Sequence, residues 1–431
     1  MIAAATLPRL LAGIDPSGPL DFHQHELLHG PLPSSREAAN LIGDLERAGL
    51  RGHGGASFPS ARKLQAVAQA RGKQIVLINA VEAEPASEKD RLLVECLPHL
   101  VLDGAVAAAR ATGAREIAFA VRDGARDAYG AAARAIAERP RGEPPITLFA
   151  IPDSYVGGQE TALVNYLSGG PLRPTFTPPR PDEQGINRRP TLVNNAETLA
   201  HLALIARNGE QWFRSLGAPG QPGSALVTVA GAVVHPGVYE IEYGSPLASL
   251  LTVAGGPLGT PRGVLLGGYA GSWVPYERAL EARLDDAELA VLRARVLAGV
   301  IFFLGEEACP VAETLRLARW MAGQSARQCG PCLHGLDALA DELATIASGH
   351  GDGGTLQRLG RLGELTAGRG ACAHPDGAVN CLLSALETFE HDFAEHARSG
   401  PCAACGLPAT LPLPDWHLPD SSPQRRRLRS L

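Results

Sequence analysis

Apolar residues along this chain fall into three successive rhythms. In the first, short apolar runs with β-branched residues alternate with longer runs of helical period. "KQIVLINA" (73–80), "EIAFAV" (116–121) and "ITLFAI" (146–151) each read as a buried strand. "PHLVLDGAVAAARATG" (98–113) and "GARDAYGAAARAIAER" (124–139) read as helices between them. "SSREAANLIGDLERAG" (34–49) precedes them as another helix. There Ser34 and Glu37 fit a capping box, Leu41, Leu45 and Ala48 share a face, and Gly49 suits the C-terminal cap. Strand–helix alternation predicts a parallel sheet covered on both faces. "GGQETALVNYL" (157–167) reads as a further helix with free N–H groups at its start, and "PTLVNNAETLAHLALIARNG" (190–209) as helical in its second half.

The second rhythm begins near Gly217, after the linker "GAPGQPGSA". "ALVTVAGAVVHPGVYEIEYG" is two alternating runs around His235-Pro236-Gly237, which predicts a β-hairpin. "PLASLLTVAGG" reads as a short helix, "GVLLGGYAGSWVP" as strand, and "AGVIFFLG" (298–305) as a buried strand. The third rhythm is helical throughout, from Cys309 to about Arg398. The pattern divides the chain into an α/β domain over 1–216, a compact mixed α+β module over 217–305, a helical domain over 306–398 and a flexible tail over 399–431.

Composition narrows the function classes. The 431 residues carry a net charge of −6, and the one clear basic run lies at the end, from Arg425, so nothing argues for nucleic acid. No apolar run approaches the roughly 20 residues that cross a bilayer, and the N-terminus has no basic region before its apolar part, as a signal peptide would. A cytoplasmic protein is expected, with any membrane association made through a partner. Of eight cysteines, six lie from Cys329 onward, and clustering of this kind in a large chain without a signal favours metal over disulfides.

Lysine is rare, with only Lys63, Lys73 and Lys89. One of them closes the glycine-dense stretch "LRGHGGASFPSARK". No G-x-x-x-x-G-K-[ST] can be written through it. Gly52 and Gly54 fit G-x-G-x-x-G, but Ser57 takes the third place and the loop follows a helix rather than a strand. The glycines let backbone N–H groups approach a phosphate or a flat ring, with Lys63 as charge and Phe58 as a stacking face; a plain structural turn is the competing reading. "NAVEAEP" (79–85) places Glu82 and Glu84 just past the first strand, where open α/β sheets bind ligands and carboxylates accept from ribose hydroxyls or a carboxamide. "LVNNAET" (192–198) offers the adjacent amides Asn194 and Asn195, suited either to a ring edge or to capping the next helix.

Cys329-x2-Cys332, with Cys372 forty residues beyond, suits an iron–sulfur site, since thiolates hold such clusters. The fourth ligand is open among Cys381, Cys402, Cys405, His334 and His374. A zinc site joining Cys329 and Cys332 to the terminal Cys402-x2-Cys405 pair is the alternative, although the separation far exceeds that of a zinc ribbon. Cys96 and Cys309 read as ordinary buried or capping residues.

In order, these motifs resemble the NADH-binding flavoprotein subunit of respiratory complex I and its relatives in NAD-linked formate dehydrogenases and hydrogenases. The resemblance runs from about Leu41 to His396. It implies a Rossmann-like FMN-binding domain, a β-grasp module of the soluble-ligand-binding type and a C-terminal helical bundle carrying a [4Fe–4S] cluster. "RGHGGASFPSARKL" is similar to the family's RGRGGAGFPTGLKW, so Gly52, Gly54, Gly55, Ala56 and Lys63 would cradle FMN and Phe58 would lie towards the nicotinamide nucleotide. Asn79, Glu82 and Glu84 answer to its NADESEP, Gly158 and Glu160 to its GEET, and Asn194 and Asn195 to its TxxNNVET. Cys329, Cys332 and Cys372 answer to three of its four cluster cysteines. The implied chemistry is hydride transfer from NADH, or NADPH, to FMN, then single-electron transfer through the cluster to a separate ferredoxin- or thioredoxin-like iron–sulfur protein or a membrane redox subunit, with no acid–base side chain required.

Several positions depart from the family. Ala326 stands where its first cluster cysteine would be, so a cluster needs a substitute ligand or takes a three-iron form. Val81 replaces an Asp and Gln159 a Glu, His53 replaces Arg and Ser57 Gly, and Ala66 and Arg180 stand where further aromatics are offered. FMN binding is thereby better supported than NADH binding. Two other readings remain: a ferredoxin:NAD oxidoreductase-type subunit run in the opposite direction, and a non-catalytic flavin-binding scaffold.

Overall fold

The computed structural model describes residues 7–15, 18–34, 40–296, 298–352 and 354–416. Glu37, half of the expected capping box, and the basic run from Arg425 lie outside them.

The first layer is a four-stranded sheet of β1 (Ile75–Ala80), β2 (Glu116–Arg122), β3 (Ile146–Ile151) and β4 (Thr191–Asn195), in the order β3-β2-β1-β4. All three pairings are parallel, with Asn79 opposite Ala120 on one side and Asn195 on the other. β4 corrects the sequence reading, which gave "TLVNN" no element. Its five residues are too few for a periodicity to declare itself, and the pairing that makes it a strand is long-range, beginning at the Ile75 N–H donated to the Pro190 carbonyl, 3.0 Å.

α1 (Phe22–His29), α2 (Leu41–Ala48), α3 (Ser60–Gln69), α4 (Lys89–Cys96), α5 (Pro98–Thr112), α6 (Arg126–Ala137), α7 (Glu160–Leu167) and α8 (Ala196–Arg214) surround this sheet. α5 and α8 approach so closely that a Cβ built on Gly104 would stand 1.9 Å from the Leu199 carbonyl oxygen. The expected stripe of Leu41, Leu45 and Ala48 is buried, and Gly49 caps α2 in the left-handed conformation.

The second layer is a five-stranded sheet of β5 (Ser224–Gly231), β6 (Gly237–Glu242), β7 (Gly263–Leu266), β8 (Ser272–Pro275) and β9 (Val300–Leu304), in the order β8-β7-β9-β5-β6. β5 and β6 form the expected hairpin, with Val227 opposite Tyr239. β9 lies parallel to β5 and antiparallel to β7. A helix, α9 (Leu247–Val253), buries Leu247, Leu250 and Leu251. "GVLLGGYAGSWVP" is strand, as expected, in two pieces, β7 and β8, paired antiparallel. The chain reverses at Gly267, where φ is 89°, and passes so close to itself that a Cβ on Gly271 would stand 1.9 Å from the Leu266 carbonyl oxygen.

α10 (Pro310–Gly323), α11 (Leu336–Ala347), α12 (Thr355–Thr366), α13 (His374–Thr388) and α14 (Glu390–Ser399) form the helical part. The tail expected from Ser399 is, as far as Trp416, a strap bound across these helices. The Glu313 carboxylate accepts from the Thr410 and Leu411 N–H groups at 2.8 and 3.2 Å, and Trp320 Nε1 donates to the Pro414 carbonyl at 2.7 Å. Leu411 is buried. A proline-rich segment without helical period gives no sign of such anchoring, which comes from single side chains far away in sequence.

Among the described residues no single helix is long and apolar enough to cross a membrane; α4 and α5 together pass that test but meet at a 96° bend.

Candidate flavin and iron–sulfur site

The strand order places β4 on the far side of β1 from β2 and β3. The crevice outside the carboxyl ends of β1 and β4 is therefore the topological switch point of the sheet, the place where open parallel sheets bind ligands. The glycine loop, Lys63, Asn79, Gly158, Glu160 and the Asn194–Asn195 pair meet there.

The glycine loop enters from α2 and leaves into α3. The Gly52 N–H donates to the Phe58 carbonyl and the Ser60 N–H to the Leu50 carbonyl, both at 2.9 Å, closing the loop on itself. The His53 N–H donates to Thr198 Oγ1 at 2.9 Å, fixing the loop to the first turn of α8. Gly54 lies on Asn195, where a Cβ would come within 3.2 Å of that side chain. Gly55 has φ +104°, a conformation for glycine alone, and faces open space. Ala56 and Phe58 are exposed. Ser57, which breaks the dinucleotide fingerprint, sits at φ 48°, in the left-handed region that a glycine there would occupy without strain.

Lys63 Nζ donates to Glu160 Oε2 at 2.7 Å and to the Val193 carbonyl at 2.9 Å, tying α3, α7 and β4 together. Asn79 Nδ2 donates to the Gly158 carbonyl at 2.8 Å, and a Cβ on Gly158 would stand 2.8 Å from that of Ala83. Asn195 caps α8, accepting from the Glu197 N–H. Asn194 differs: it is 5% exposed, and its Nδ2 has no hydrogen-bond partner. A buried amide donor without a partner at the switch point is a group that a ligand acceptor would satisfy.

Glu82 and Glu84 have other work. Glu82 stands at φ 42° and accepts from Ser87 Oγ and from the Asp90 and Arg91 N–H groups at 2.8–2.9 Å, so it caps the start of α4. Burial and the neighbouring Asp90 push its carboxyl up to about 7. Glu84 accepts from the Tyr269 N–H at 2.9 Å and so joins the first sheet to the second domain. Burial pushes it, too, up to about 7, against its own hydrogen bonds.

Beneath the loop is a buried charge layer that the sequence reading missed. Lys89 is 2% exposed, and its Nζ contacts Glu197 Oε2 at 2.7 Å and Asp90 Oδ1 at 3.0 Å. Burial opposes its charge, but Asp90 and Glu197 outweigh burial and hold the ammonium above the usual lysine range. Asp90 accepts from Asn195 Nδ2 at 2.5 Å, and Glu197 accepts from the Leu226 N–H in β5 at 2.8 Å. The rarity of lysine was the one available signal. His53 and His201 stack beside this layer with ring centres 4.8 Å apart, and burial lowers the pKa of both rings. A cavity of about 20 Å³ bordered by His53, Glu197 and Tyr243 leaves room for a single water.

Cys332 lies within one wide π-helical turn, Pro331–Gly335, and Cys329 stands two residues before it; such turns are frequent at functional sites. Burial pushes the Cys332 thiol up to about 12, and Cys329 and Cys372 beside it add to the shift. Cys329 and Cys372 are thus both neighbours of Cys332, though more widely spaced than the 4.8 Å that the sulfurs around His396 keep. The proposed fourth ligands are distributed otherwise. Cys381 lies against Glu84 and Trp273. His334 is exposed. His374 Nε2 is 2.9 Å from the Met321 carbonyl oxygen, while its Nδ1 is buried without a partner. Cys402 and Cys405 meet Cys309 and His396 instead of Cys329 and Cys332. Ala326 is buried at 5% exposure.

The two sites adjoin. Tyr155 Oη is 3.4 Å from Glu84 Oε2, and its ring meets those of His374 and Trp320 edge-on at 5.5 and 5.4 Å. The free Asn194 amide, the open face at Gly55 and the exposed Phe58 fit an aromatic ring with a polar edge. The three thiols fit an iron–sulfur centre with one position left for a ligand that Ala326 does not supply.

Comparison with known proteins agrees with this arrangement. Residues 45–204 match the Nuo51 FMN-binding domain, and residues 312–396 match the iron–sulfur binding region of NADH-ubiquinone oxidoreductase-F. The chain is 32% identical over 374 residues to the second F-type subunit of NADH-quinone oxidoreductase of Rhizobium meliloti (strain 1021), covering 83% of this chain and 89% of that one. It is 31% identical to the F-type subunit of the Streptomyces coelicolor enzyme, over 90% of each chain. The H2-reduced NAD+-reducing [NiFe]-hydrogenase superposes with a TM-score of 0.81 at 30% identity, over 92% of this chain and 68% of that chain. With its FMN-binding domain and its 4Fe–4S-binding region in the family's order, the chain belongs to the family of F-type subunits of NADH-quinone oxidoreductase.

Proposed function

We infer that this chain is the NADH-oxidising electron-transfer subunit of a multi-subunit oxidoreductase, taking electrons from NADH and delivering them singly to a partner protein. The observation that carries this reading is the convergence of the glycine loop, Asn79, Glu160 and the unpartnered Asn194 amide at one switch point, with three cysteines next to it across Tyr155.

Bound FMN would supply hydride acceptance in a two-electron step and release of electrons one at a time. The chain's own residues bind and orient. Gly54 and Gly55 open the backbone to the ring and phosphate. Lys63, kept in place by Glu160, brings positive charge to the same mouth. Asn194 offers its free N–H to a ring acceptor, and Asn79 fixes the Gly158 turn opposite. Phe58, exposed at the rim, suits a nicotinamide nucleotide stacking from solvent. Cys329, Cys332 and Cys372 would hold the cluster.

The strand order β8-β7-β9-β5-β6, with its central parallel pair and the helix α9 between β6 and β7, supports reading the second sheet as a β-grasp module. The two sheets and the helical part support dividing the chain at 1–216, 217–305 and 306–398. The acceptor is proposed to be a separate iron–sulfur protein. A cytoplasmic subunit, peripheral to a membrane through that partner, is the corresponding location.

Titration of flavin-free protein with FMN tests the binding half. Stoichiometric binding that weakens in Gly55→Val and Asn194→Leu supports the reading. A chain that takes up no FMN is a scaffold, and the proposal fails.

A further inference from the structure

The terminal cysteine pair has no place in the site above, yet it is not idle. Cys402 and Cys405 face Cys309, at the N-cap of α10, and His396, on α14. Cys309 Sγ is 3.4 Å from Cys405 Sγ and from His396 Nε2, His396 Nε2 is 3.3 Å from Cys405 Sγ, and Cys402 Sγ is 3.7 Å from Cys405 Sγ. A tetrahedral zinc with Zn–S of about 2.3 Å and Zn–N of about 2.0–2.1 Å sets its ligand atoms about 3.5–3.8 Å apart. Four of the six separations thus already stand near the edge lengths of such a tetrahedron, and all four atoms lie within 4.8 Å of one another. A cubane cluster, in contrast, would drive its protein sulfurs apart by the width of the cube.

The second shell agrees. His396 Nδ1 is 2.8 Å from the Asp392 carbonyl oxygen, which can only accept, so Nδ1 carries the proton and Nε2 presents its lone pair to the three sulfurs. The Cys402 N–H also points to Nε2, at 3.4 Å, which agrees with that tautomer. The Ala312 N–H, at the start of α10, donates to Cys309 Sγ at 3.4 Å, as a thiolate at a helix N-terminus requires. Three cysteines and one histidine in a closed set are the donors of a structural zinc site.

We propose that Cys309, His396, Cys402 and Cys405 bind one zinc(II) ion, separate from the iron–sulfur centre. The ion replaces three thiol protons, which leave to solvent, and no electron is exchanged. It clamps the strap of residues 400–416 to α10 and α14. That strap covers Glu313, Trp320 and Tyr269, and Trp320 and Tyr269 lie around Tyr155, between the two redox sites. The site would fix the outer wall of the path between flavin and cysteines.

The test is metal and sulfide analysis of the full chain, purified anaerobically from zinc-supplemented cells. About one zinc per chain is expected besides the iron. Cys329→Ser should lose iron and sulfide and keep zinc, while Cys402→Ser and Cys405→Ser should lose zinc and keep iron. His396→Cys preserves a four-ligand set and should retain zinc, which separates ligand loss from misfolding. Should the serine variants fail to fold, cobalt(II) exchange into the unaltered chain decides, because a thiolate site gives charge-transfer and tetrahedral d–d bands. A chain with neither zinc nor those cobalt bands overturns the proposal. So does a Cys402→Ser variant that loses iron and sulfide together, since the pair would then serve the cluster.

Discussion

Replacing Lys89 with methionine strikes the layer on which the glycine loop rests. The change keeps the volume and apolar stem of the side chain and removes only the charge. Lys89 Nζ lies 2.7 Å from Glu197 and 3.0 Å from Asp90, and the three side chains are 3%, 1% and 6% exposed. Removing one partner of a buried pair costs about 3–5 kcal/mol, because the carboxylate left behind has neither water nor a counter-charge. The other hydrogen bonds of the layer, from Leu226 and Asn195, persist and keep the loss near the lower end of that range. The pH dependence has a definite sign. In the variant the folded state binds protons at the stranded carboxylates more readily than the unfolded chain does. Stability relative to the natural chain is therefore recovered as pH falls and lost as it rises. Urea denaturation at pH 5.5 and pH 8 measures both quantities, and FMN retention can be followed in the same samples. Lys89→Met with Glu197→Gln should regain part of the loss. A penalty under about 1 kcal/mol that is equal at both pH values would refute the buried-charge argument, since that is the worth of a solvated surface pair.

Glu84, raised to about 7 from 4.5, contributes stability that is fully present below pH 4.5 and lost as pH rises through 7. Glu84→Gln should thus gain on the natural chain between pH 5 and 8, by up to about 3 kcal/mol at 1.36 kcal/mol per unit, and parallel stability curves would contradict this. Gly104→Ala sets a Cβ 1.9 Å from the Leu199 carbonyl oxygen and should lower stability by about 1–3 kcal/mol or more as α5 and α8 part, read by thermal denaturation. Ala326→Cys restores the cysteine that the resemblance places there and should raise iron and sulfide content per chain; unchanged content would mean that position 326 does not face the cluster.

The parallel sheet and the hairpin were legible because each rests on local periodicity, and the glycine loop, "NAVEAEP" and "NNAET" because each lies at a strand or helix end. β4 was not legible, since five residues ending in two asparagines carry no period. Lys89 stood out only as one of three lysines, because its burial depends on the second sheet closing over it. His396 and Cys309 escaped for the same reason: they lie 87 residues apart, and only the packing of α10 against α14 joins them. The sequence assigned Glu82 and Glu84 to ligand binding from their position and from the resemblance, and in the structure both also carry capping and interdomain hydrogen bonds. A motif marks where a residue stands, but not which of its neighbours takes its hydrogen bonds first.

The most direct test of the central claim is the visible spectrum of the anaerobically purified chain during titration with NADH. The account predicts a flavin spectrum at about one FMN per chain, bleached by NADH before any other reductant is added. A flavin-loaded chain that dithionite bleaches, but NADH and NADPH do not, would contradict it.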